Sequence, residues 1–171
     1  HKPAIMATDD YVFDVISMIL GSGRTSRFHK KLVIEKQIAT EVGAFDAPGI
    51  RYPNLFVISA TPRAPHSIRE VEDAIQAELD LLKSEPVAER DLQRILNKIE
   101  YEEARRMGTN GGLARNLTEY EATTGSWRYM TEYREKVKMV TPADIQRVAR
   151  QYFTSENRSV GFITKKGGAG K

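Results

Sequence analysis

The 171-residue chain has no cysteine. That excludes disulfides, thiolate zinc sites, iron–sulfur clusters and a cysteine nucleophile together. It leaves the redox compartment open, because a cysteine-free chain tolerates reducing and oxidising surroundings alike. Histidine is scarce too: His1, His29 and His66 are the full set, and none lies three or four residues from another. A zinc site without thiolates needs histidine and acidic ligands that face one way. Neither H-E-x-x-H nor H-x-x-E-H occurs, and His29 and Glu35, six residues apart, are poorly placed to share an ion. No metal site within the chain is expected. No apolar run approaches the roughly 20 residues of a membrane span. The longest, YVFDVISMIL, is short and contains Asp14. The start, His1-Lys2-Pro3, carries neither a signal peptide nor an initiator methionine, so it reads as the beginning of a piece excised from a longer protein.

Charge of one sign is lacking as well. The 26 basic and 23 acidic side chains leave +3. The pI near 9.1 reflects a small surplus on a balanced chain. Basic and acidic residues are interleaved, as in EEARR and EYREKVK, which is the pattern of a solvated mixed surface and not of a nucleic-acid face. Glu102 and Glu103 lie among these arginines and read as part of that solvated face. No serine sits in a G-x-S-x-G elbow.

What is present is a clear order of elements. Thr8, Asp9 and Asp10 are candidate caps for an apolar helix from Tyr11 to Leu20, ended by Gly21. A second helix is expected from Thr25 or Ser26 to Lys36. Ala39–Phe45 alternates as a strand, AFDAPGIRYPN reads as a loop, and Leu55–Ala60 is the strongest strand, so the two should pair as a hairpin. Ser67 and Glu70 form a capping box for an amphipathic helix to Ser84. A helix over 88–107 follows, with Leu92, Ile95, Leu96 and Ile99 inward. After a turn at 108–112 come shorter helices over 113–123 and 127–137. Thr141-Pro142-Ala143-Asp144 opens a last helix to Tyr152. A final strand is expected over Ser159–Thr164, and residues 165–171 read as a flexible tail. With length fitting one domain, residues 1–171 form a single α+β unit, an antiparallel sheet with helices on one face.

The stretch LGSGRTSRFHKKLVIEKQIATEV invites a phosphate-loop reading. A helix precedes its glycines and the third glycine of a dinucleotide fingerprint is missing. A corner between two helices explains it better, with Gly21 as a cap. The terminal GGAGK imitates the end of a P-loop, but no helix can follow Lys171.

Taken as a set, three segments carry a family resemblance. The run from Tyr11 to Val42 resembles the LGxGRxSRL signature of the C-terminal, non-catalytic domain of the insulinase, pitrilysin and mitochondrial-processing-peptidase family of zinc metallopeptidases. VTPADIQRVARQYFTSENRSV resembles that domain's closing helix and strand, and SIREVEDAIQAELDLLKSEPVAERDLQRILNKIE fits the helix pair between. The resemblance implies a chamber half-domain. Zinc, with its H-x-x-E-H motif, would then belong to an N-terminal domain of the parent chain, and no cofactor to this one. The implied partners are that zinc-bearing domain, a homo- or heterodimer partner, and an unfolded peptide substrate, with no membrane or nucleic acid. Two departures stand out. Many family members place an Arg and a Tyr against the peptide, and alignment by eye puts Leu55 and His66 at those positions, where neither matches. Catalytic residues are therefore not expected here, and substrate-binding residues are left open. Such domains also begin with a strand just before Lys2-Pro3; without it the sheet should be incomplete, with an edge free to pair with another chain. Two other functions stay open: a structural or assembly subunit of the same fold, and a basic module binding anions or nucleic acid through Arg24, Arg27, Lys30 and Lys31.

Overall fold

The computed structural model describes residues 1–164. Helix α1 (Thr8–Gly21) is the centre of the core. Phe13, Val15, Ile16 and Leu20 are fully buried, each stabilising the fold by about 1.5–3 kcal/mol through removal from water. The expected side-chain cap does not form: Ala7 holds the cap position and makes no side-chain cap bond. Asp9 and Asp10 are instead committed to tertiary partners. Asp9 accepts from Arg147 at 2.7 Å and from the Tyr152 hydroxyl at 3.0 Å, tying α1 to the far end of the chain. The first-turn placement still suits the positive end of the helix.

The glycine-rich stretch is a corner. Gly23 turns the chain at φ +79°, a conformation glycine adopts without a Cβ penalty. Ser26 Oγ then donates to Gly23 O at 2.8 Å. The next helix, His29–Glu35, is wound as a π-helix, within the expected span. Gly21 is a close approach: a Cβ there would lie 2.2 Å from Ala44 N on the first strand. Only glycine lets α1 sit that near the sheet.

Strands β1 (Ala39–Ala47) and β2 (Leu55–Pro62) form the expected antiparallel hairpin, two residues longer at each C-terminal end than the apolar pattern indicates. The register shifts between Ala39 and Glu41, a bulge that leaves both Thr40 and Glu41 facing solvent. Helices α2 (Ile68–Ser84) and α3 (Glu89–Met107) match the expected pair, and both arms of the Ser67/Glu70 capping box are present. Helix α4 (Asn110–Thr124) begins earlier than expected, inside the glycine-rich turn, because Thr109 caps it by accepting from Gly112 N at 3.1 Å. Helices α5 (Tyr129–Lys138) and α6 (Pro142–Tyr152) follow, the latter with its Thr141/Asp144 capping box.

The order is thus α+β, with an antiparallel two-stranded sheet and α1 packed on it. One element fails: Ser159–Thr164 is not a strand. A strand exists only with a ladder partner, and among the described residues none lies alongside. Val160, Phe162 and Ile163 are left exposed. The expected tail, residues 165–171, lies outside the described residues.

Candidate functional site

Three surfaces carry chemistry. The first is the sheet. The register places Val42, Ala44 and Asp46 on one face with Phe56, Ile58 and Ala60. This face looks to the core: Val42 and Ala44 are buried, and Phe56 stacks on Phe13 with centroids 5.4 Å apart. The opposite face brings together Phe45, Val57 and Leu55. Phe45 and Leu55 are 47% and 40% exposed, so this face is an uncovered apolar strip. Its edge is incomplete in a defined way. Lys2 pairs with Asn54 through two backbone bonds of 2.9 and 3.1 Å, antiparallel. His1 O accepts from Asn157 Nδ2 at 3.0 Å. The Lys2–Asn54 bridge sits antiparallel at the start of β2. Among the described residues the sheet has two strands, β1 and β2.

Leu55 and His66 are not brought together. Leu55 opens β2 opposite Ala47. His66 lies beyond the far end of that strand, with Nδ1 3.3 Å from Glu70 Oε1. Some 20 Å of extended chain, at about 3.3 Å per residue, separates them, too far for both to grip one peptide bond. Leu55 belongs to the uncovered face; His66 is a helix-start residue.

The second surface is the corner. Of the basic residues there, Lys31 is paired with Glu35 at 2.8 Å. Glu78 is buried beside the helix; burial raises its pKa, partly countered by Arg27, Lys31 and Lys36. Ser22 O and Oγ accept from Lys98 at 3.3 and 3.2 Å. Of the corner's backbone donors, Ser26 N–H is committed to Gly23 O at 3.1 Å and Lys30 N–H to Ser26 O at 3.0 Å.

The third was missed in the sequence. Lys2, its side chain fully buried, is 2.7 Å from Asp10 and also pairs with Asp46. Burial lowers the Lys2 pKa, but the two carboxylates more than offset this and the net direction is up. Asp10 is raised by burial in spite of Lys2. One ammonium is thus shared by two acids. Next to them Asp14 accepts from the Tyr133 hydroxyl at 2.9 Å. Burial, then the charge of Asp10, push its pKa up to about 7. Asp10, Asp14, Asp46 and Tyr133 line a cavity of about 210 Å³ with Glu103, Tyr120 and Tyr129. Glu103 is 5% exposed and 2.5 Å from Arg106; it is not part of a solvated face. Leu92, Ile95, Ile99 and Glu103 are all buried, so Glu103 continues the inward stripe of α3. That spacing was the available signal, as was Asp14 within an otherwise apolar helix.

The Asp14 shift has a measurable consequence. Its folded pKa lies above the ordinary 3.8, so its contribution is complete below about pH 4 and is lost as pH rises through about 7. The slope is at most about 1.4 kcal/mol per pH unit. Asp14→Asn should flatten this fall in denaturant titrations from pH 4.5 to 8; an unchanged profile would show that Asp14 does not carry it.

None of the three surfaces is a metal centre: among the described residues no group of three or more His, Asp or Glu is placed to hold an ion. Around Asp10 and Asp46 the central position is already filled by Lys2. The residues present do not fit zinc.

A family model describing the peptidase M16 inactive domain matches residues 2–99, more than half of the chain. The chain belongs to the peptidase M16 inactive-domain family. Solved structures agree in fold. The inactive peptidase domain of a candidate zinc protease from Bordetella parapertussis is 24% identical with a TM-score of 0.85, covering 98% of this chain and 90% of that one. A candidate zinc protease from Bordetella pertussis Tohama I is 25% identical at TM-score 0.80, covering 93% and 87%. A protease from Helicobacter pylori is 20% identical at TM-score 0.84 over 91% of this M16 domain, which spans only 37% of that longer chain. No curated protein matches.

Proposed function

We propose that this M16 domain is the non-catalytic part of a zinc-dependent metalloendopeptidase acting on unfolded peptides, where it closes the chamber and helps hold the substrate. The uncovered sheet face beside the unfilled edge of β2 carries this reading. Phe45, Val57 and Leu55 offer apolar contacts to alternate side chains of an extended chain, and a strand edge offers backbone bonds. Recognition of that kind reads backbone more than sequence, which suits unfolded substrates. Zinc and its H-x-x-E-H motif would lie in an N-terminal domain of the parent chain, or on a homo- or heterodimer partner.

The test is made on the full-length parent protein, with any neighbouring partner subunit added. Zinc content and cleavage of a mixed set of fluorogenic unfolded peptides are measured with and without chelator. About one zinc per active site and chelator-sensitive cleavage are expected. No zinc and no cleavage, with or without the partner, would overturn the peptidase reading and leave an assembly subunit of the same fold.

A further inference from the structure

Helix α5 meets α1 through the Tyr133–Asp14 hydrogen bond, 2.9 Å long, and through an aromatic cluster. The Tyr129 and Tyr133 rings lie 6.3 and 6.0 Å from that of Tyr11 by centroid. Against α3 it adds surface ion pairs, Glu100 with Arg134 and with Lys138, and exposed pairs of that kind contribute little. Helix α4 has no buried residue, and α5 has only Tyr129 and Val137. Helix α1 by contrast buries eight residues. Segments with so few buried groups are the ones that open below the threshold for global unfolding.

The group at this contact stands among acids. Asp10 lies one turn earlier on α1, Asp46 comes from β1, Glu103 from α3 and Glu119 from α4. The cations of the cluster are engaged elsewhere: Lys2 is shared by Asp10 and Asp46, and Arg106 pairs with Glu103. Tyr120 and Tyr129 complete the walls, and Glu132 of α5 acts on the adjoining Tyr11. Asp14 therefore fits this place as a neutral acid; ionised, it faces Asp10 and Asp46.

We propose that the Asp14–Tyr133 contact is a proton-operated latch: with Asp14 neutral, the α4–α5 pair is closed on α1, and release of that proton to solvent lets the pair open locally and admit water to the cavity beneath it. Burial, then Asp10, push the closed-state pKa of Asp14 up to about 7, above the ordinary 3.8. In the open state it returns towards the ordinary value. The closed state is thus favoured most below about pH 4, loses ground as pH rises to about 7, and changes little beyond. The latch does not depend on peptidase activity in the parent.

The experiment is native-state hydrogen exchange of the full-length protein, read by mass spectrometry on peptides from pH 5 to 8 in low urea, with intrinsic exchange rates corrected. Peptides from α4 and α5 should exchange through an opening that urea barely affects, whereas those from α2 and α6 should need global unfolding and respond steeply. Protection of α4 and α5 should fall by up to about tenfold per pH unit between pH 5 and 7, the limit for one proton, and then level off. Asp14→Asn, the neutral isostere, should hold that protection flat. Tyr133→Phe keeps the ring but removes the donor to ionised Asp14, so the fall should continue to higher pH before levelling. Urea sensitivity in α4 and α5 equal to that in α2 and α6, protection independent of pH, the same fall in Asp14→Asn, or an unmoved levelling point in Tyr133→Phe would each overturn the proposal.

Discussion

Phe13→Ala should lower stability by about 3–5 kcal/mol, the range for truncating a large aromatic side chain in a rigid core. Phe13 is fully buried. Its ring meets Phe56 at 5.4 Å, Tyr152 at 5.2 Å and Phe153 at 6.0 Å between centroids. These partners come from β2, α6 and the segment after α6, so one side chain joins the helix layer, the sheet and the closing segment. Its neighbours are anchored in three different elements and cannot collapse together into the gap, which favours the upper part of the range. Chemical denaturation followed by tyrosine and tryptophan fluorescence measures the effect. A loss under 1 kcal/mol would show that Phe13 is not the junction described here. Phe13→Leu, which keeps most of the volume, should lose clearly less.

Lys2→Ala should be of similar size, about 3–5 kcal/mol at pH 8, for a different reason. The Lys2 side chain is wholly buried between Asp10 and Asp46, and its ammonium also lies 5.5 Å from the Phe13 ring centroid. Removing it leaves two carboxylates facing each other in a site already short of positive charge. The loss should shrink on acidification, because the acids can then shed their charge by taking up protons. The sign follows from Asp10, whose folded pKa is already raised. A group raised on folding contributes stability at low pH and loses it as pH rises through its folded value. Without Lys2 that value rises further, so the deficit opens towards neutral pH. Lys2→Met with Asp10→Asn and Asp46→Asn should recover most of the stability, since a buried ion cluster replaced as a whole costs far less than one broken in half. A Lys2→Ala deficit that is constant from pH 5 to 8 would rule out this origin. Because Lys2 lies over Phe13, the two substitutions should not be additive.

The elements were legible where local chemistry decides them. Ser67 with Glu70 and Thr141 with Asp144 specify helix starts through bonds spanning three residues, and no distant contact is needed for them to form. The hairpin was legible because the alternation along Ala39–Phe45 and the β-branched and aromatic content of Leu55–Ala60 are properties of each strand alone. The glycine corner was legible as a corner, though not the reason for Gly21, which is the backbone of Ala44 on another element.

The sequence by itself determined the Ser67/Glu70 and Thr141/Asp144 helix caps, the hairpin and the absence of thiolate and paired-histidine chemistry, because these rest on residue types and short spacings. Only the tertiary structure decided that Ser159–Thr164 would stay unpaired, since a strand depends on a neighbour supplied from elsewhere. It alone decided that Asp9 and Asp10 would serve Arg147, Tyr152 and Lys2 instead of capping α1. It alone gathered Asp14, Asp46, Glu103 and three tyrosines from separate elements into one cavity. Charge and burial act through space, and residues more than a hundred positions apart, such as Asp14 and Tyr133, share a hydrogen bond that no local pattern encodes.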